Sequence, residues 1–260
     1  IVTQGWLLGY VEEKNDLVFK YPETIKYIKK LIGSADFING NVRYCLWIPD
    51  NELETALLCP IIQKRVNKTR EMRLSSPDSG ARKLALKPHQ FREFNECDNN
   101  TLIIPSTSSE RREYIPMGFA DTNTVITNSN YSVSNATLTL FGIVTSKMQM
   151  IWMKAIGGRL KSDYRYTSLV YNTFPFPEIS EEKKKEIEEA AEEVLCVRAE
   201  HSEKTLAEMY DPDKMPADLR AAHHTLDLIV ESCYRKEPFT SDEERLEHLF
   251  KLYEKMTQKC

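Results

Sequence analysis

Three short segments carry the side chains best suited to chemistry on a polyanion. Ser79-Gly80-Ala81-Arg82-Lys83 runs on to Lys87-Pro88-His89-Gln90-Phe91-Arg92. The second segment is Ser108-Ser109-Glu110-Arg111-Arg112-Glu113-Tyr114, and the third holds Arg159, Lys161, Ser162, Tyr164, Arg165 and Tyr166. Lys, Arg, Ser, Thr and backbone N–H groups grip the phosphates of duplex DNA. Bases are read by Arg or Lys on guanine, Asn or Gln on adenine, and a carboxylate on cytosine. Ser108–Arg112 offers both kinds of group within five residues. The candidate DNA-contacting residues are therefore Arg82, Lys83, Arg92, Ser109, Glu110, Arg111, Arg112, Lys161, Ser162 and Arg165. Taken singly, each cluster reads more readily as a surface loop or a set of internal ion pairs.

Charge distribution favours the polyanion reading. The net charge of −4 is not that of a simple basic nucleic-acid binder. Residues 178–260, however, hold 13 Lys+Arg and 22 Asp+Glu, a net of −9, which leaves 22 basic and 17 acidic residues in 1–177, a net of +5. All three clusters lie in the positive part, so that part is expected to approach a polyanion, with the acidic tail turned away.

The motifs of catalysis are missing. Nine glycines form no G-x-G-x-x-G and no G-x-x-x-x-G-K-S/T, so neither a dinucleotide nor a nucleoside triphosphate cradle is expected. No N-P-P-aromatic tetrapeptide, acid-then-E-x-K metal site, G-x-S-x-G or H-E-x-x-H occurs. The six cysteines (Cys45, Cys59, Cys97, Cys196, Cys233, Cys260) are scattered, which suits reduced thiols rather than a disulfide scaffold or a zinc site. A chain 41% hydrophobic and 28% charged belongs to the globular class. Apolar runs such as Met150–Met153 fall far short of the ~20 residues that span a bilayer. The start, IVTQGWLLGYVEE, has neither an initiator Met nor a signal-peptide pattern, and points to a cytoplasmic fragment of a longer protein.

The elements that must position these clusters read as α+β: a mixed-sheet domain with flanking helices, 1–177, followed by a small helical domain, 178–260. Helix is expected after Pro22 over Tyr21–Ile32, and over Leu53–Arg73 with a break at Pro60. Strands are expected at Arg43–Ile48, Thr101–Pro105, Tyr114–Phe119, Thr124–Thr127 and Ala136–Phe141, and a polar loop at Ser75–Leu84. Ile143–Ile156 reads as an amphipathic helix whose Met/Trp stripe is core. In the tail, Ser180 caps a helix to about His201, Ala217–Tyr234 is a second, and Thr240 or Ser241 caps a third. The charged runs there are a solvated face; a partner-binding stripe is the alternative, which would make the chain a protein-interaction module.

Five segments resemble a known family. R-E-x-R-L (Arg70–Leu74), K-P-H-Q-F-R-E (Lys87–Glu93), L-I-I-P-x-x-S-S-E-R-R-x-Y-I-P-M-G-F (Leu102–Phe119), F-G-I-V-T-S-K-M (Phe141–Met148) and G-G-R-L-K-S-D-Y-R-Y-x-x-x-L-V-Y-N-T-F-P-F-P (Gly157–Pro177) stand in this order and at similar spacing in the C-terminal region of MmeI-like, type IIL restriction–modification proteins. Those proteins join a nuclease, an adenine-N6 methyltransferase and a target recognition domain in one chain. The resemblance implies that 1–177 recognises a DNA sequence, that 178–260 is a C-terminal helical domain, and that no catalytic residue or cofactor resides here. S-adenosylmethionine, with Mg a candidate beside it, would serve the parent protein. The implied partners are double-stranded DNA and the methyltransferase domain of the same parent chain. Y-I-P-M-G-F and F-P-F-P would be structural. Within Gly157–Pro177, the glycines would end a helix with a left-handed cap, Lys161, Ser162 and Arg165 would grip phosphates, and Tyr164, Tyr166 and Tyr171 would anchor the loop.

Overall fold

The computed structural model describes residues 7–9, 11–92, 96–97 and 100–258. The architecture is α+β and divides into two compact units. The first contains residues 1–36, 41–97 and 122–127, and the second 37–40, 98–121 and 128–260.

The first unit is built on a four-stranded sheet in the order Leu7–Gly9, Arg43–Leu46, Ile28–Ile32, Thr124–Ile126. The last pair is parallel, with Ile32 opposite Ile126; the others are antiparallel. Ile28–Ile32 lies where a helix is expected. Only Pro22–Tyr27 is helical, as a 3₁₀ turn. Ile28 and Leu31 are then buried by pairing on both sides with strands distant in sequence, a tertiary gain that overrides local propensity. The expected break at Pro60 is present, between Leu53–Ala56 and Pro60–Leu74, with the proline in the first helical turn where its missing N–H costs nothing. Ser75–Leu84, expected as loop, holds the short helix Ser79–Lys83, because the Asp78 carboxylate accepts the Gly80 N–H at 2.8 Å.

The second unit has two three-stranded antiparallel sheets among its described residues. One runs Gly118–Ala120, Thr101–Pro105, Asn130–Val133, and the other Thr107–Ser108, Asp163–Arg165, Gly158–Leu160. The expected strand Tyr114–Phe119 pairs only from Gly118. The expected strand Ala136–Phe141 is instead the start of a helix, Leu138–Thr145: the Thr137 hydroxyl accepts the Leu140 N–H, and Phe141–Thr145 are buried on every side, which erases a helical stripe. The expected helix Ile143–Ile156 is split at Ser146, whose ψ of 163° is extended. Its second part, Lys147–Ile156, buries Met148, Met150, Trp152 and Met153.

The C-terminal helices are Glu181–Glu200, Ala217–Ser232 and Asp242–Thr257, with Ser180 and Ser241 capping the first and third. Their apolar faces close on Phe141, Trp152 and Phe174 to form one continuous core with Ile187, Leu226 and Leu249. Tyr234 donates to the Pro175 carbonyl at 3.1 Å, tying the F-P-F-P turn to these helices.

Candidate nucleic-acid interface

Sheet pairing brings the second and third clusters together. Ser108 lies opposite Tyr164 and Thr107 opposite Arg165, so Ser109–Glu113 leaves the sheet beside the hairpin Gly158–Arg165. Leu160 opposite Asp163 leaves a two-residue turn, Lys161-Ser162, at the hairpin tip. Lys161 has φ 59°, in the left-handed region that disfavours a residue with a Cβ by about 1 kcal/mol. A lysine is thus held, exposed, where glycine would be easier. Gly157 ends the preceding helix but not by a left-handed cap: its φ of −68° and ψ of 147° are extended. Glycine is required there because a Cβ would lie 2.4 Å from the Met153 carbonyl oxygen.

The side chains of these two clusters fall into engaged and unengaged groups. Glu110 accepts from Arg159 at 3.1 Å, and Arg159 also covers the Tyr164 ring at 4.4 Å and donates to the Ser162 carbonyl at 2.9 Å. Arg159, which was not among the candidates, therefore sets the hairpin against the loop. Arg111 pairs with Asp213, a residue of the acidic tail. Arg112 is half-buried, and burial pulls its guanidinium pKa down against the opposing fields of Asp163 and Asp211. The tail is therefore not wholly turned away, since a segment's net charge says nothing of where each carboxylate points. Ser109 is half-buried, with its hydroxyl 3.4 Å from the Arg111 N–H. Lys161, Ser162 and Arg165 are exposed, and among the described residues neither Lys161 nor Arg165 makes an ion pair. Tyr166 is buried and accepts from Gln149 at 3.0 Å, while Tyr164 and Tyr171 are half-buried.

The first cluster belongs to the other unit and is a folded knob. Arg73, buried at the end of Pro60–Leu74, donates to the carbonyls of Leu84 and Lys87 at 2.9 Å and of Gln90 at 2.6 Å. Lys87 and His89 converge on Asp50, at 2.8 and 2.6 Å, and hold its carboxyl at about 2. Arg82 is exposed and donates to the Ser76 and Pro77 carbonyls at 2.8 Å. Arg92 pairs with Asp78 at 2.9 Å, and Lys83 is exposed. Exposed pairs of this kind contribute about 0–1 kcal/mol, so a phosphate can replace the carboxylate at little cost. Among the described residues no group of His, Cys, Asp and Glu is placed to hold a metal ion, and no helix is long and apolar enough to cross a membrane.

Comparison with known proteins identifies the scaffold. Residues 1–178 match the family described as MmeI, target recognition domain, and residues 179–260 the MmeI, C-terminal domain. A curated relative, DNA methyltransferase A of Bacillus subtilis (strain 168), is 49% identical over 256 residues, which is 98% of this chain and 29% of the relative. A solved structure of the type IIL restriction–modification enzyme MmeI in complex with DNA superposes with a TM-score of 0.92 at 38% identity, over 98% of this chain and 34% of that one. The chain thus spans about a third of the length of the proteins it matches.

Proposed function

The chain belongs to the MmeI target recognition domain family, continued by the MmeI C-terminal domain, and from that premise we propose that it reads the target sequence of a larger DNA adenine-N6 methyltransferase and restriction–modification enzyme. The observation that carries this reading is the juxtaposition of the Ser109–Arg112 loop with the Lys161 hairpin through the Ser108–Tyr164 ladder. A β-ribbon and an adjoining loop together fit a DNA groove and its flanking phosphates. Lys161, Ser162 and Arg165 supply phosphate contacts. Glu110 and Arg112 supply groups that read bases, a carboxylate for a cytosine amino group and a guanidinium for the guanine edge. Lys83, Arg82 and Arg92, on the first unit, are cations suited to phosphate contacts of their own. Double-stranded DNA is the partner, and the methyltransferase domain in the same parent chain brings S-adenosylmethionine and, for cleavage, Mg.

The test uses the full parent protein. Lys161→Ala with Arg165→Ala should weaken binding and reduce the slope of log affinity against log salt by about two, one for each lost phosphate contact. Glu110→Gln or Arg112→Ala should change or relax the methylated sequence, read by methylation sequencing. Unaltered affinity, salt slope and sequence in all of these variants would overturn the proposal.

A further inference from the structure

Three of four successive residues of the reading loop, Arg111, Glu113 and Tyr114, each meet a complementary group from Asp213–Asp227 of the helical region. Arg111 pairs with Asp213, and half-buried Arg112 lies in the fields of Asp163 on the hairpin and of Asp211. Glu113 accepts from Arg220, which also donates to the Pro212 carbonyl at 3.0 Å. Tyr114 donates its phenolic proton to Asp227 at 2.6 Å, inside the core. A base, an acid and a phenol thus meet an acid, a base and an acid, at Asp213, Arg220 and Asp227, in the same order along both segments. The loop itself has no ladder: between Ser109 and Tyr114 its own bonds are the Arg112 N–H to the Ser109 carbonyl, 3.1 Å, and the Arg111 N–H to the Ser109 hydroxyl. Its shape must therefore come from outside. The far end is firmly held, because the other Asp227 oxygen takes the Lys147 N–H at 2.7 Å at the start of the helix Lys147–Ile156, and the Tyr114 ring stacks on His223 at 4.2 Å.

We propose that Asp211–Asp227 is a specificity-determining template: it sets the direction in which Glu110 and Arg112 are presented, so the base pairs that are read depend on residues that do not touch DNA. This rests on the reading of the loop as a base reader. Asp213, Arg220 and Asp227 are positioning residues. Incidental surface pairing would not match three of four consecutive positions in the same order, nor end in a buried hydrogen bond.

The Glu113–Arg220 pair is the place to test it, because both side chains are about two-fifths exposed and their loss leaves the core intact. In the full parent protein, Arg220→Ala should lower discrimination between cognate and single-mismatch sites by about tenfold at the base pairs whose reading changes in Glu110→Gln or Arg112→Ala. Melting temperature and low-salt binding to unrelated DNA should stay at the wild-type level. The exchange Glu113→Arg with Arg220→Glu should restore discrimination. If Glu110 and Arg112 variants shift the methylated sequence but Arg220→Ala does not, the template is wrong and the DNA-reading function stands. A uniform loss on all sequences with a lowered melting temperature also overturns the template, because Arg220 would then be structural only. If none of the variants, Glu110 and Arg112 included, alters the sequence methylated, the underlying reading fails as well.

Discussion

Gly142 and Ile187 meet so closely that a Cβ on the glycine would lie 2.6 Å from the Ile187 Cγ2 atom. This contact lets the helix Leu138–Thr145 sit directly on Glu181–Glu200, and it accounts for the glycine in the F-G-I-V-T segment. Gly142→Ala should gain about 1 kcal/mol of helix propensity. It should lose more by overpacking a full core, which typically costs 1–3 kcal/mol. The expected result is a net loss of about 1–2 kcal/mol in denaturant unfolding. A stabilised variant would show that the helices can separate freely.

Lys161 separates folding from function. Its left-handed backbone disfavours any side chain, so Lys161→Gly should leave stability unchanged or raise it by up to about 1 kcal/mol. The same change removes an exposed ammonium from the hairpin tip, and DNA affinity should fall with the salt slope reduced by about one. Equal affinity in wild type and variant would remove Lys161 from the phosphate contacts. A loss of stability would show that the lysine packs rather than projects.

What was legible in the sequence was what local chemistry dictates. Ser180 and Ser241 cap helices, Pro60 divides one, and Arg43–Leu46 is the strand that its aromatic and apolar residues between two turn signals announce. What was hidden was decided at long range. Ile28–Ile32 is a strand because Arg43–Leu46 and Thr124–Ile126 bracket it. Leu138–Thr145 carries no helical stripe because Phe141–Thr145 are buried on every side and leave no polar face to mark one. Gly157 serves a close approach rather than a left-handed turn, two uses that one letter cannot tell apart. At the site, the three basic clusters were visible as composition. The partners that discipline them were not: Arg111 with Asp213 lies across 102 residues, and nothing in one sequence pairs them.

Arg73 shows how a basic residue can belong to the framework rather than the interface. Its guanidinium is buried and satisfies three carbonyls of 84–90. Arg73→Met keeps the stem's packing but leaves those acceptors without their donor, each loss worth about 1 kcal/mol or more. We expect a destabilisation on the order of 3 kcal/mol. It should be accompanied by faster amide hydrogen exchange across 84–92 and weakened presentation of Arg82 and Arg92. Unchanged exchange in that stretch would show that the knob holds without Arg73.

Asp227 and His223 are buried one helical turn apart and titrate in opposite senses. Burial raises the Asp227 carboxyl from 3.8 to about 7 and lowers the His223 imidazole from 6.5 to about 3. Between about pH 4 and 6.5 the folded chain keeps a proton on Asp227 that the unfolded chain has released, so this group's contribution to stability falls as pH rises. Over the same window the unfolded chain protonates His223 and the folded chain does not, so that contribution rises with pH. Each slope is at most about 1.4 kcal/mol per pH unit, and the two cancel. Asp227→Asn leaves the histidine slope alone. The difference in unfolding free energy between wild type and Asp227→Asn should therefore widen by about 2–3 kcal/mol on acidification from pH 6.5 to 4.5. Denaturant unfolding at the two pH values measures it, and parallel profiles would show that Asp227 is ionised in the fold.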